Sequence, residues 1–113
     1  MDKKILVVDD AMFMRSIIRK ILKEDGYTQV WEAQDGEKAM ELFREVSPDL
    51  VLLDITMPGR SGLEVLEEML SLVPNIRVIM CSAVGQEMMI QKALTIGAAD
   101  FIVKPFKADE FSR

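Results

Sequence analysis

Two hydrophobic patterns alternate along the chain. Short runs of consecutive apolar, mostly β-branched residues occur at Ile5-Leu6-Val7-Val8, Leu50-Val51-Leu52-Leu53, Val78-Ile79-Met80 and Phe101-Ile102-Val103. No polar residue interrupts them, so both faces of each need cover, which predicts strands of a parallel sheet. Gln29-Val30-Trp31-Glu32-Ala33 mixes polar and apolar positions and predicts an edge strand. Between these runs the apolar residues recur at helical spacing. Met14, Ile17, Ile18, Ile21 and Leu22 form one stripe; Ala39, Leu42, Phe43 and Val46 form a second. Leu66, Met69, Leu70 and Val73 form a third, and Met89, Ile90, Ala93, Leu94 and Gly97 a fourth. Gly26 and Gly97 stand where helix C-caps are wanted, and Ser47-Pro48 and Val73-Pro74-Asn75 break the chain after helices.

The predicted order is therefore β-α-β-α-β-α-β-α-β, with the beginning of a fifth helix at Lys107. Such alternation implies right-handed crossovers and an α/β, doubly wound parallel sheet with helices on both faces. The chain has 113 residues, half of them apolar, without repeats or linkers, which predicts one domain over residues 1–113. After Pro105 only Phe106 to Arg113 remain, whereas a helix covering a sheet face needs about 10–14 residues. The last helix is thus expected to be short or missing, with an apolar patch exposed beside it.

Charge and composition narrow the function. The net charge of -5 argues against nucleic-acid binding and provides no polybasic patch for a membrane. There is no histidine, which excludes histidine-ligated zinc, a Ser-His-Asp triad and a histidine base. The single cysteine, Cys81, ends an apolar run and reads as a core residue. Met1-Asp2-Lys3-Lys4 leads into only a short apolar run, neither a signal peptide nor a membrane span, so a cytoplasmic protein is expected.

Candidate chemistry collects at the ends of the strands, where doubly wound sheets bind ligands. The first run ends in Asp9-Asp10, the third predicted strand in Asp54, the fourth near Ser82-Ala83 and the fifth in Lys104-Pro105. Three converging carboxylates raise one another's pKa, and a hard divalent cation such as Mg2+, or Mn2+ in its place, relieves the repulsion. The alternative for Asp9-Asp10 is a helix-capping pair for the segment starting near Met12. Lys104 can pair with Asp54 at rest and with a phosphoryl oxygen afterwards. The Lys104–Pro105 bond is a candidate cis peptide. Ser82 offers a hydroxyl, and Gly59 and Gly62 shape the loop after Asp54. Together these parts suit phosphoryl transfer, which needs positioning and charge neutralisation more than acid–base chemistry.

The stretches Ile5-Leu6-Val7-Val8-Asp9-Asp10, Asp54-Ile55-Thr56-Met57-Pro58 with Gly62, Ser82-Ala83, and Asp100-Phe101-Ile102-Val103-Lys104-Pro105-Phe106 resemble the receiver domains of bacterial two-component response regulators. The resemblance covers essentially the whole chain. It implies a flavodoxin-like five-stranded sheet in the order 2-1-3-4-5. It implies that Asp54 is the phosphoacceptor and that Asp9, Asp10, Asp54 and the Thr56 backbone carbonyl hold the metal. It further implies that Ser82, Ala83 and Lys104 contact the phosphoryl group, and that Phe101 is the aromatic switch, here without the hydroxyl of a tyrosine. Thr56 and Val84 match positions that tune dephosphorylation. The implied partners are a CheA-like sensor histidine kinase as phosphodonor and an output target such as a flagellar motor switch protein. Ala11-Met12-Phe13-Met14-Arg15 and Cys81-Ser82-Ala83-Val84-Gly85-Gln86 look like chemotaxis receivers. The helix bearing Met88 and Met89 would belong to the surface that changes for a partner.

Three other readings compete. A receiver segment of a longer DNA-binding regulator would share every residue above. A haloacid dehalogenase-like phosphatase wants a second Asp two positions after its nucleophile on the first strand, where Ala11 and Met12 stand here. An FMN-binding protein wants a Ser/Thr/Gly-rich loop after that strand, which Ala11-Met12-Phe13-Met14 does not provide.

Overall fold

A computed structural model describes residues 3–104 of the chain. The elements run β1 (Lys4–Val8), α1 (Met12–Glu24), β2 (Gln29–Ala33), α2 (Gly36–Val46), β3 (Leu50–Asp54), α3 (Gly62–Leu72), β4 (Arg77–Ser82), α4 (Glu87–Ile96) and β5 (Asp100–Val103). All five strands are parallel, in the order β2-β1-β3-β4-β5. The predicted alternation and strand order are thus found, with four helices among the described residues. The expected fifth helix at Lys107 and the candidate cis bond at Pro105 lie outside them.

Both faces of the central strands β1, β3 and β4 are covered, as their unbroken apolar runs require. Alternate residues divide between two cores. Leu6, Val8, Val51, Leu53, Val78 and Met80 pack against α2, α3 and α4 through Ala39, Phe43, Leu66, Met69, Ile90 and Ala93. Ile5, Val7, Leu52 and Cys81 pack against α1 through Ile18 and Leu22. Cys81 is therefore the core residue that its setting predicted, and burial pushes its thiol up to about 12.

The helix ends follow local chemistry. The Asp35 side chain accepts the Lys38 N–H at the start of α2. Ser61 and Glu64 form a reciprocal capping box on α3. Ser47, at φ 52°, takes the left-handed conformation that ends α2 before Pro48. Two stripe positions differ from expectation. Val73 caps α3 from outside the helix and is exposed, because Pro74 follows it. Leu94 is more than a third exposed. Among the described residues no helix is long and apolar enough to cross a membrane.

Candidate functional site

The sheet register builds the site. β1 and β3 are neighbours with Val8 opposite Leu53, so the next residues, Asp9 and Asp54, emerge side by side at the carboxyl edge. Asp10 follows on the way to α1. One carboxylate oxygen from each of Asp9, Asp10 and Asp54 lies within 4.8 Å of the others. Asp9 and Asp54 are buried, at 1% and 5% exposure, whereas Asp10 faces solvent. A helix-capping role does not explain the pair: α1 is capped at Ala11 without a side-chain hydrogen bond, and the one backbone N–H that Asp9 accepts there is that of Ala11, at 2.9 Å, outside the helix.

Lys104 reaches this cluster from β5, its backbone pinned to β4 by a 2.7 Å hydrogen bond from its N–H to the Ser82 carbonyl. Its ammonium lies 2.9 Å from Asp9 Oδ2 and 3.4 Å from Asp54 Oδ2. The expected pairing with Asp54 is present, but the shorter contact is to Asp9. One cation thus bridges the two buried carboxylates.

The electrostatics follow from this geometry. Burial pushes the Asp54 carboxyl up to about 6; Lys104 opposes the rise, and the charge of Asp9 adds to it. Burial pulls Lys104 downward, but its hydrogen bond to Asp9 and the charge of Asp54 prevail and hold it above the usual lysine range. Three carboxylates against one ammonium leave negative charge uncompensated. With hard oxygen donors converging and Asp10 open to water, the cluster fits a divalent cation.

The remaining predicted residues surround this centre. The Thr56 N–H approaches Asp54 Oδ1 at 3.4 Å. The Ser82 hydroxyl is buried and has no hydrogen-bond partner among the described residues. Such a buried polar atom is costly unless a ligand satisfies it. The Ala83 N–H is taken by the Gln86 side chain at 2.7 Å. Phe101 is 40% exposed and turned outward, so it is not a core ring. With Val84, Ile90, Leu94 and Val103 it lines a groove of about 220 Å³ between α4 and β5. Met88 is fully on the outside of α4, while Met89 packs on the core.

Two residues entered the sequence reading only within the chemotaxis-like stretches, with no role of their own. Arg15 is buried on α1 and donates from Nη1 to the Asp9 carbonyl at 2.6 Å, while its Nε meets Glu32 at 3.1 Å. Its position with Ile18 and Leu22 on one helical face was the available signal. Gln86 ties Ala83 to Thr56, a contact with no signature in sequence. Gly62 shapes the loop more strictly than expected. A Cβ there would collide with the Asp54 carbonyl oxygen and stand 2.8 Å from Ile55 Cα, so α3 starts directly against the strand end that presents Asp54.

The fold and this acidic rim define a class, and sequence comparison agrees. The family model for the response regulator receiver domain matches residues 5–113. The chain belongs to that family. Within it, the chain is 52% identical over 106 residues to chemotaxis protein CheY of Listeria monocytogenes, covering 94% of this chain and 89% of that protein. It is 50% identical over 109 residues to chemotaxis protein CheY of Bacillus subtilis, covering 96% and 91%. Among solved structures, the receiver domain of NtrX from Brucella abortus superposes with a TM-score of 0.92 at 37% identity, covering 96% of this chain and 92% of that one. Against a longer NtrX chain from the same organism, this chain spans 25% of the length.

Proposed function

We propose that the chain is a phosphorylation-activated switch that accepts a phosphoryl group on Asp54. The observation that carries this reading is the joint placement of Asp9, Asp10 and Asp54 within 4.8 Å of one another, with Lys104 on two of them. An Asp54 oxygen bonds to phosphorus as the bond from phosphorus to the donor nitrogen of a kinase histidine breaks, and the electron pair leaves with the imidazole. Lys104 neutralises phosphoryl charge. The Ser82 hydroxyl and the Ala83 N–H donate to phosphoryl oxygens. Asp9, Asp10, Asp54 and the Thr56 carbonyl would hold Mg2+, which supplies charge neutralisation for the incoming group. Water then attacks the acyl phosphate, releasing inorganic phosphate and restoring the carboxylate.

Engagement of the Ser82 hydroxyl by the phosphoryl group draws that side chain toward Asp54 and lets Phe101 turn inward. This remodels the groove beside α4 for an output partner. Similarity to two CheY proteins favours chemotaxis, a cytoplasmic setting, a CheA-like sensor kinase as donor and a flagellar motor switch protein as target. A receiver segment of a longer regulator is the second reading, favoured by the match to one quarter of the NtrX chain. The test is intact-mass analysis after treatment with acetyl phosphate and Mg2+, beside Asp54→Asn. One phosphoryl adduct, lost in the variant, is expected. Equal adducts in both proteins would overturn the assignment.

A further inference from the structure

Asp54 and Cys81 are paired across β3 and β4. Two residues beyond each member of that pair stand Thr56 and Ala83, on the two loops that flank the mouth of the site. The Gln86 side chain joins them. Its Oε1 accepts the Ala83 N–H at 2.7 Å, and its Nε2 donates to the Thr56 hydroxyl at 2.6 Å. Both are short, well-formed contacts. Gln86 is the N-cap residue of α4, yet its side chain makes no capping hydrogen bond to that helix. A cap position is normally filled by a residue whose side chain serves its own helix. Here the carboxamide is committed to the loops instead. It also borders the groove that contains Phe101.

From this bridge we propose that Gln86 is a positioning residue that latches the phosphoryl cradle shut in the resting protein. The inference rests on the reading of Asp54 as phosphoacceptor. One N–H cannot serve two acceptors at full strength, so a phosphoryl oxygen reaches the Ala83 N–H only after Gln86 Oε1 lets go. Release frees Thr56 and the first turn of α4 together. The state of the site is thereby tied to the helix bordering the groove, and the latch sets how readily Asp54 accepts a phosphoryl group.

Two measurements on the whole chain test the latch. The first is hydrogen exchange at the Ala83 amide in cation-free, unphosphorylated protein. Ala83 is exposed and its N–H is held by Gln86, so protection in the wild type and its loss in Gln86→Ala are expected. The second is the rate of adduct formation from acetyl phosphate with Mg2+. As the Asp54–phosphorus bond forms, acetate leaves with the electron pair of the broken P–O bond. Gln86→Ala should react about three- to tenfold faster, the range one net hydrogen bond commands. Gln86→Glu keeps an acceptor for Ala83 but adds negative charge, and should react more slowly than wild type. An Ala83 amide equally unprotected in wild type and Gln86→Ala overturns the latch, as do equal rates in all three proteins. Absence of any adduct in all three sinks the phosphoacceptor reading, and the latch with it.

Discussion

Asp54 holds its charge against its surroundings, and this has a measurable cost. Its carboxyl titrates near 6 in the folded chain, because burial outweighs the help of Lys104, and near its ordinary 3.8 when unfolded. Between those values the folded state keeps a proton that the unfolded state has lost. Stability of the cation-free protein therefore falls as pH rises through that window, and stays lower above it. The effect is clearest in the upper part of that window, because Glu32, pushed up by burial yet held below its ordinary value by Arg19 and Arg15, titrates on the acid side. Denaturant melts in EDTA should show the decline, and Asp54→Asn should flatten it. At pH 7.5 that variant should be more stable by about 1 kcal/mol or more; a parallel decline in both proteins would contradict this origin. Asp54 and Lys104 were legible in the sequence because each ends an apolar run. That Lys104 sits nearer Asp9 was not, since its reach depends on the register of four strands.

The loops and helix starts hold this chemistry in place. Gly62 lets α3 begin in contact with the Asp54 carbonyl, where any side chain must displace backbone rather than a flexible tip. Gly62→Ala should cost about 2–3 kcal/mol, read by urea melts, and should slow adduct formation at Asp54. On α1, Arg15 joins three elements: its own helix, Glu32 of β2 and the Asp9 carbonyl at the end of β1. Arg15→Met keeps the apolar stem but leaves Glu32 with Arg19 alone. A loss of about 1–2 kcal/mol is expected, because the pair is only partly buried. The period of α1 was legible, yet a charge between Met14 and Ile18 broke the apolar stripe and hid a residue on its buried face. Turn chemistry was better announced: Ser47-Pro48 and Gly97 do end their helices.

Across the whole molecule, the alternation of unbroken apolar runs with helical stripes was enough to predict a doubly wound parallel sheet, while the strand order came from the family resemblance. Parallel strands covered on both faces allow few other arrangements. The contact joining Gln86, Thr56 and Ala83 was not legible, because it forms between loops whose approach only the finished sheet determines. The same sheet gathers negative charge at one end, so a divalent cation should stabilise the fold by mass action. At a hundred times its dissociation constant Mg2+ should add about 2.7 kcal/mol. Thermal melts with and without magnesium chloride would register this, and Asp10→Asn, an exposed change, should remove most of it. An undiminished shift in that variant would place the cation elsewhere. The buried thiol beside Asp54 has a practical corollary. Cys81 is the one sulfhydryl in the sequence, and it is shut between the sheet and α1. Alkylating reagents can reach it only when that side of the molecule opens, so labelling rates would time the opening of the wall behind the acidic rim, and any cysteine placed on the surface could be tagged against a silent background.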